Sequence, residues 1–338
     1  MTIDFWRERN VYITGGTGLL GSWLVQRLVD RGANVVCLVR DYTPRSLLVR
    51  SGTIAKVTTV TGPIEDYELQ LRVLNEHEIR TVFHLAAQTI VPVGNRSPLS
   101  TFEANIKGTW CLLEAARIAG GVEEIVVASS DKAYGAQDVL PYDEQTPLQG
   151  THPYDVSKSC ADLIAQAYHV TYGLPVCVTR CGNMYGGGDL NWNRLIPGTI
   201  RSFLFDDSPV IRSDGTLERD YVYVEDIADA YLLLAENMGR PEVVGEAFNF
   251  GVNRPYSVLE VVEALGEVMG RQDLRPTVLG EAGPDAEIPV QYLDSTKAER
   301  ILGWEPRFGF RDGLRRTAAW YEELLRPGAA DHSKGASR

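Results

Sequence analysis

The run Thr14-Gly15-Gly16-Thr17-Gly18-Leu19-Leu20-Gly21 constrains this chain more than any other stretch. It joins a short apolar segment, residues 11–14, to an amphipathic one, residues 19–31. Glycines at 15, 18 and 21 form a GxxGxxG pattern between a strand and a helix. That pattern permits a tight turn, close approach of the backbone to a diphosphate, and close packing of helix on strand. The helix N-terminus then presents unpaired N–H groups and a partial positive charge to the phosphates. Gly15, Gly18, Leu19, Leu20 and Gly21 are therefore the expected pyrophosphate cradle of a dinucleotide. The next apolar segment ends Val39-Arg40-Asp41. A carboxylate there suits the ribose of NAD, whereas a guanidinium suits the 2′-phosphate of NADP. Both are present, and Arg40, which directly follows the strand, tips the reading slightly toward NADP.

Further β-branched runs recur at 35–39, 56–60, 81–85, 124–128 and 175–179, each separated by a helical spacing. This rhythm predicts βαβ units and an α/β fold, a Rossmann-like doubly wound parallel sheet buried on both faces. From about Cys181 glycine, proline and polar residues increase and strands become sparse, which predicts a smaller, interleaved substrate-binding lobe. The expected division is a dinucleotide-binding domain at 5–180 with a return segment at about 220–250, and a second lobe at 181–219 and 251–326. Within this division 220–234 returns to the core, 257–269 is a helix of the smaller lobe, and 327–338 is a disordered tail.

The formal net charge of −12 argues against a general nucleic-acid binder, which needs a basic face. No apolar run reaches the ~18 residues of a membrane span, and the opening MTIDFWRERN lacks the apolar core of a signal peptide. Cys37, Cys111, Cys160, Cys177 and Cys181 are scattered and without CxxC spacing, so neither a zinc site nor a disulfide framework is expected and a cytoplasmic location is.

Ser129-Ser130-Asp131-Lys132 follows the run at 124–128, and Tyr154 and Lys158 stand four apart in a helical stretch. On a helix they share one face. A phenol has a pKa of ~10 and is a poor base at neutral pH. A neighbouring ammonium and a positive nicotinamide ring stabilise the phenolate, so Tyr154 is expected to act as a base with a lowered pKa. Ser130 can hold a substrate hydroxyl in line. His84 falls on a buried strand and reads as a core residue rather than a metal ligand. His152 reads as a loop histidine, Trp304 as a packing residue, and no metal site is expected.

These residues resemble the extended short-chain dehydrogenase/reductase family, in the branch that acts on nucleotide sugars. The resemblance runs from about Phe5 to Leu325 through TGGTGLLG, VFHLAAQ (82–88), the segment with Asn105, SSDKAYG, PYDVSK, RCGNMYGGGD (180–189), RDYVYVEDIADA (219–230) and LGWEP (302–306). It implies that Leu85, Ala86 and Ala87 join the cofactor site. It also implies that Gln88, Asn105, Asn183, Arg194 and Arg219 bind a nucleoside-diphosphate hexose, with Arg201 a further candidate for the diphosphate. The pair Asp131-Lys132 is similar to the acid and Glu or Lys of 4,6-dehydratases, the CDP-glucose type most of all; 4-epimerases carry small or apolar residues there. The implied cycle is redox-neutral. Tyr154 takes the 4-hydroxyl proton as hydride leaves C4, Ser130 orients that hydroxyl, and Lys158 tunes Tyr154 and holds the nicotinamide ribose. Lys132, or a water it positions, takes the C5 proton, a protonated Asp131 donates to the departing C6 hydroxyl, and hydride returns to C6. The sequence departs from the dehydratase pattern at RDYVYVED, at Asp155-Val156 after Tyr154, and at Gly62-Pro63-Ile64, where an acid usually follows the third strand. A 4-epimerase and a non-catalytic cofactor sensor remain alternatives. The resemblance further implies a homodimer formed through helices around 100–120 and 154–172.

Overall fold

The computed structural model describes residues 4–281 and 288–326; the expected tail at 327–338 lies outside the described residues. Seven parallel strands form the main sheet: β1 (Asn10–Thr14), β2 (Asn34–Val39), β3 (Thr58–Thr61), β4 (Thr81–His84), β5 (Glu124–Ala128), β6 (Val176–Cys181) and, far along the chain, β10 (Ala247–Phe250). Their spatial order is β10-β6-β5-β4-β1-β2-β3. The order reverses between β1 and β4, and crevices at the carboxyl ends of strands at such a switch point are where open α/β sheets bind ligands. The sheet forms because β1, β4, β5 and β6 are mostly apolar and almost wholly buried, and helices cover both faces. Ile13, Leu24, Val25, Phe83 and Phe248 fill one side, and Tyr12, Val82, Leu112, Ile125 and Val127 the other.

The strand expected at 56–60 begins later. Residues Thr53–Lys56 make one tight helical turn and β3 starts at Thr58. This is the outermost strand and is mostly exposed, so its sequence carries little apolar pattern. The helix expected around 100–120 starts at Pro98 and contains one wide turn, Glu103–Lys107, before continuing as Gly108–Ala119. Such widened turns are frequent at functional sites, and here it carries Asn105.

Of the stretch at 220–250, strand β9 (Glu218–Tyr223) belongs to the smaller sheet, whereas the helix Val224–Asn237 packs under the main sheet and β10 joins it. The smaller sheet also contains β7 (Asn183–Tyr185) and β13 (Val290–Gln291), both parallel to β9, and β11 (Pro255–Ser257), antiparallel to it; β8 (Val210–Ile211) pairs with β12 (Thr277–Val278) elsewhere in the lobe. The helix Val258–Met269 starts where Ser257 caps it: Ser257 accepts from the Glu260 N–H, and Glu260 accepts from the Ser257 N–H. Ile200, Phe203, Leu265, Leu314 and Tyr321 form this lobe's core. Trp304 is buried and donates to the Asp226 carbonyl (3.3 Å), pinning the end of the lobe to the helix under the main sheet. Arg180 of β6 and Asp162 form a fully buried ion pair (2.8 Å) that fastens the helix Pro153–Tyr172 to the sheet.

Candidate active site

The glycine run leaves β1 at the switch point. Gly15 has φ +77°, and a Cβ on it would lie 2.8 Å from the Ala86 nitrogen at the end of β4. A Cβ on Gly21 would lie 2.2 Å from the Gly15 carbonyl oxygen. The first glycine therefore lets two strand ends approach, and the third lets the helix Leu19–Asp30 sit on the turn. Thr14 supports the junction, since its hydroxyl oxygen accepts from Leu85 N and Ala86 N (both 3.1 Å). His84 lies behind it, bonded to Thr14 through Nδ1 (2.9 Å) and to Thr109 through Nε2 (3.0 Å). Thr109 donates its own proton to the Asn105 carbonyl. Nε2 therefore carries the imidazole proton and Nδ1 accepts from Thr14. Burial, helped by the charge of Lys158, pulls His84 down to about 3, and it is a structural neutral imidazole.

A cleft of about 460 Å³ opens over this junction, within the size of small-molecule sites. Gly15, Gly18, Leu19, Leu20, Gly21, Arg40, Asp41, Leu85, Ala86, Ala87, Tyr154, Lys158 and Arg194 all line it. Arg40 and Asp41 are exposed at its mouth and paired to each other (2.6 Å). The glycine cradle, which a side chain would fill, suits a dinucleotide pyrophosphate.

Tyr154 and Lys158 stand on the first turns of the helix Pro153–Tyr172 and face the cleft. The expected lowering of the Tyr154 pKa is not found in the isolated chain. Burial pushes the phenol up to about 12, opposed by its hydrogen bond with Ser130 and by the charge of Arg194. Lys158 instead donates to the Ala128 carbonyl (2.7 Å), and burial draws it down to about 8 against the charge of Asp162.

Ser130, Asp131 and Lys132 sit just beyond the cleft wall formed by Ala128 and Ser129. Ser130 donates to Asp131 Oδ1 (3.0 Å) and accepts from Lys132 N (3.2 Å). The Lys132 ammonium is bonded to Gln291 Oε1, and Gln291 donates back to the Asp131 carbonyl (2.8 Å). Asp131 is only 2% exposed, and its Oδ2, like the Ser129 hydroxyl, has no hydrogen-bond partner among the described residues. Such buried orphans call for a partner, and a ligand hydroxyl supplies one. Nearby, burial raises Asp155 against the opposing charges of Lys132 and His152. Burial also raises Asp220 to about 7, opposed by the N–H groups of Val252 and Leu293 and reinforced by Asp131.

The remaining expected substrate residues are spread around this centre. Asn105 is buried; it accepts from Gln88 N (2.7 Å) and donates to the Gln88 carbonyl (3.1 Å) and to Ser157 (2.8 Å). It thus shapes the segment bearing Gln88. Asn183 starts β7 and pairs in register with Tyr221, and Arg219 of the adjacent β9 donates to the carbonyls of Glu218 and Pro289. Arg201 is exposed on the helix Leu195–Leu204, lies over Trp192 (5.5 Å) and is not among the residues that line the cleft. Sequence reasoning passed over Ser129, Gln291 and the segment Gly188–Asn191. Ser129 stood inside a motif already singled out, and Gly188 and Asp189 belong to the GGGD run. Gln291 meets Lys132 across 159 positions and left no local signal.

Among the described residues no cluster of His, Cys, Asp or Glu could hold a metal, and no helix is long and apolar enough to cross a membrane. A parallel sheet with a glycine cradle at its switch point, and a Ser-Tyr-Lys set beside it, defines an enzyme of the extended short-chain dehydrogenase/reductase class. Residues 12–317 match the family described as GDP-mannose 4,6 dehydratase. The chain is 32% identical to a CDP-glucose 4,6-dehydratase of Salmonella typhimurium, covering 96% of this chain and 93% of that one. It is equally 32% identical to a UDP-glucose 4-epimerase of Lactobacillus helveticus, covering 92% and 97%. Among solved structures it is similar to DesIV, a dTDP-glucose 4,6-dehydratase of Streptomyces venezuelae with NAD and TYD bound, at a TM-score of 0.84 and 30% identity over 93% of this chain and 97% of that one. The chain belongs to the GDP-mannose 4,6-dehydratase family of nicotinamide-dependent, nucleotide-sugar-modifying enzymes.

Proposed function

We propose that this enzyme is a nucleotide-sugar 4,6-dehydratase that converts an NDP-hexose, with CDP-glucose as the first candidate, into the 4-keto-6-deoxy sugar. The observation that carries the reading is Asp131, a buried acid with an unpartnered oxygen, set between Ser130 and Lys132. The bound nicotinamide cofactor supplies reversible hydride acceptance. Ser130 orients the sugar 4-hydroxyl and Tyr154 receives its proton, with Lys158 and Arg194 providing positive charge beside the phenol. A 4-keto group acidifies the C5 proton, which Lys132 removes when it is a neutral amine, directly or through a water bonded to it. Asp131, when its Oδ2 carries a proton, gives that proton to the C6 hydroxyl, which leaves as water. Gln291 fixes the lysine head group, so the base and the acid are set from the two lobes. Asn183, Arg194 and Arg219 are the residues we assign to the diphosphate, Gln88 to the sugar, and the lobe of 181–219 and 251–326 to the nucleotide sugar as a whole.

The cofactor we assign is NAD. Arg40 reaches a 2′-phosphate only by leaving Asp41, so NADP through Arg40 is the second reading, and the identity of cofactor released from the purified protein decides between them. We also propose a homodimer, a reading supported by the exposed Trp110, Ile118, Leu163, Val170 and Tyr172 on the adjacent helices Gly108–Ala119 and Pro153–Tyr172, and a cytoplasmic location, with which the free cysteines are consistent. A 4-epimerase is favoured by one observation, the engagement of Lys132 by Gln291, which a purely structural lysine would also show. Incubation with CDP-, UDP-, GDP- and dTDP-hexoses separates the two. Loss of one water from one member, seen by mass spectrometry, establishes the dehydratase; a product of unchanged mass and altered retention establishes the epimerase.

A further inference from the structure

The outer wall of the cofactor cleft comes from the segment between β7 and the helix Leu195–Leu204; Gly188, Asp189, Leu190, Asn191 and Arg194 line it. Gly188 has φ +102° and packs against Leu47 and, slightly farther off, Leu19, the first residue of the phosphate-facing helix. The two carbonyls on either side of Gly188 are each held by a side-chain donor from a different part of the molecule. Trp23, on the helix Leu19–Asp30, donates from Nε1 to the Gly187 carbonyl (2.8 Å). Tyr321, wholly buried on the last helix, Phe310–Leu325, donates its hydroxyl to the Asp189 carbonyl (2.5 Å). Trp320 lies against Gly187 so closely that a Cβ there would be 2.4 Å from its ring. The pinned Asp189 in turn accepts from Asn191 N (3.0 Å) and from Arg194 (3.1 Å). A chain of contacts thus runs from two helices, through two carbonyls, to the arginine beside Tyr154.

We propose that Trp23 and Tyr321 are positioning residues that clamp this wall over the dinucleotide and set how slowly it leaves. Neither side chain needs to touch the cofactor. Each satisfies a backbone carbonyl in a segment whose glycine would otherwise leave it free to take other conformations. The chemistry gives the clamp a reason. A redox-neutral cycle fails if the dinucleotide departs between the outward and return hydride steps, so retention counts for more here than in a dehydrogenase that exchanges cofactor every turnover. The inference rests on the cofactor site of the proposed function and not on the elimination of water.

The test uses the full chain loaded with NADH and no sugar. Displacement by excess NAD is followed by the change in nicotinamide fluorescence, for the wild type, Trp23→Phe and Tyr321→Phe. Both substitutions keep an aromatic ring and delete the donor. Each is expected to speed cofactor dissociation about tenfold, the equivalent of ~1.4 kcal/mol and the size of one buried hydrogen bond. Off-rates within twofold of the wild type, in variants whose circular dichroism is native, overturn the clamp, as does a fall in melting temperature with no change in off-rate. Should Tyr321→Phe fold poorly, Trp23→Phe, whose side chain is only partly buried, decides alone. Water loss by the wild type, measured separately, keeps failure of the clamp distinct from failure of the dehydratase reading.

Discussion

Replacing Asp131 with asparagine should raise stability while abolishing dehydration. The side chain is buried, one oxygen accepts from Ser130, and the other has no partner among the described residues. Leaving a buried polar group unpaired costs about 1–3 kcal/mol, more when it is charged. The site also gathers like charges, since Asp131 contributes to the raised pKa values of both Asp155 and Asp220. Asparagine keeps the shape and the Ser130 contact and removes the charge that acts on those carboxyls. A gain of about 1–2 kcal/mol follows, and for a chain of this size that raises Tm by roughly 2 °C. An amide cannot protonate a leaving hydroxyl, so water loss should fall by about 10²- to 10⁴-fold, the usual worth of a positioned acid. A further signature lies in Asp220. Its folded pKa of about 7 exceeds the unfolded value, so the native state holds more protons than the unfolded chain between about pH 4 and 7. Stability from this group therefore falls as pH rises through that window. In the asparagine variant the slope should flatten, because one repulsive neighbour is gone. Calorimetry at several pH values and mass-spectrometric detection of water loss measure the two arms. A variant that melts lower than the wild type and still dehydrates within threefold of it would refute the assignment of Asp131 and the accounting of its charge.

Other outcomes are equally open to measurement. His84 is held near 3 against an unfolded value of 6.5, so its contribution, on the order of 4 kcal/mol, is present above pH 6.5 and disappears as pH falls toward 3; His84→Gln should move the acid-unfolding midpoint downward, read by circular dichroism. Gly21→Ala drives a methyl group to 2.2 Å from the Gly15 carbonyl oxygen, whereas Gly18→Ala meets that oxygen at 3.2 Å; the first should cost about 1–3 kcal/mol and at least tenfold in cofactor affinity, the second distinctly less, by thermal melting and cofactor titration. Trp110→Glu with Val170→Glu places charges on side chains that are 43% and 82% exposed in the isolated chain; sedimentation should show monomers where the unaltered protein sediments as a dimer, and an unchanged sedimentation coefficient would remove these helices from the interface.

The sequence was most informative where function and local structure share the same few residues. The glycine run, the strand ends at Thr14 and Ala128, and the Tyr154–Lys158 pair each encode strand, turn or helix and chemistry together, and the structure brings them to one cleft. Edge strand β3 was misplaced by two residues because exposed positions carry no burial pattern. The direction of the Tyr154 shift was not legible, because burial depends on the whole surrounding shell and here outweighs the hydrogen bond with Ser130 and the charge of Arg194. Gln291 reaches Lys132 from a strand laid down late in the chain, and nothing in its neighbours marks it. Residue type alone also could not show that Arg201 lies over Trp192.

The way the chain crosses between its two sheets limits how such a protein can change. Strand β6 ends at Cys181 and β7 of the smaller sheet begins two residues later; the chain then passes through β9, returns by the helix Val224–Asn237 to β10 beside β6, and leaves again. No single cut separates a cofactor half from a sugar half. Neither half can be borrowed, exchanged or appended as a module, and pairing β10 with β6 closes a loop of some seventy residues, a non-local contact of the kind that slows folding. Substitutions of side chains around the cleft leave this interleaving intact, and the chain is equally identical, at 32%, to a dehydratase and to an epimerase.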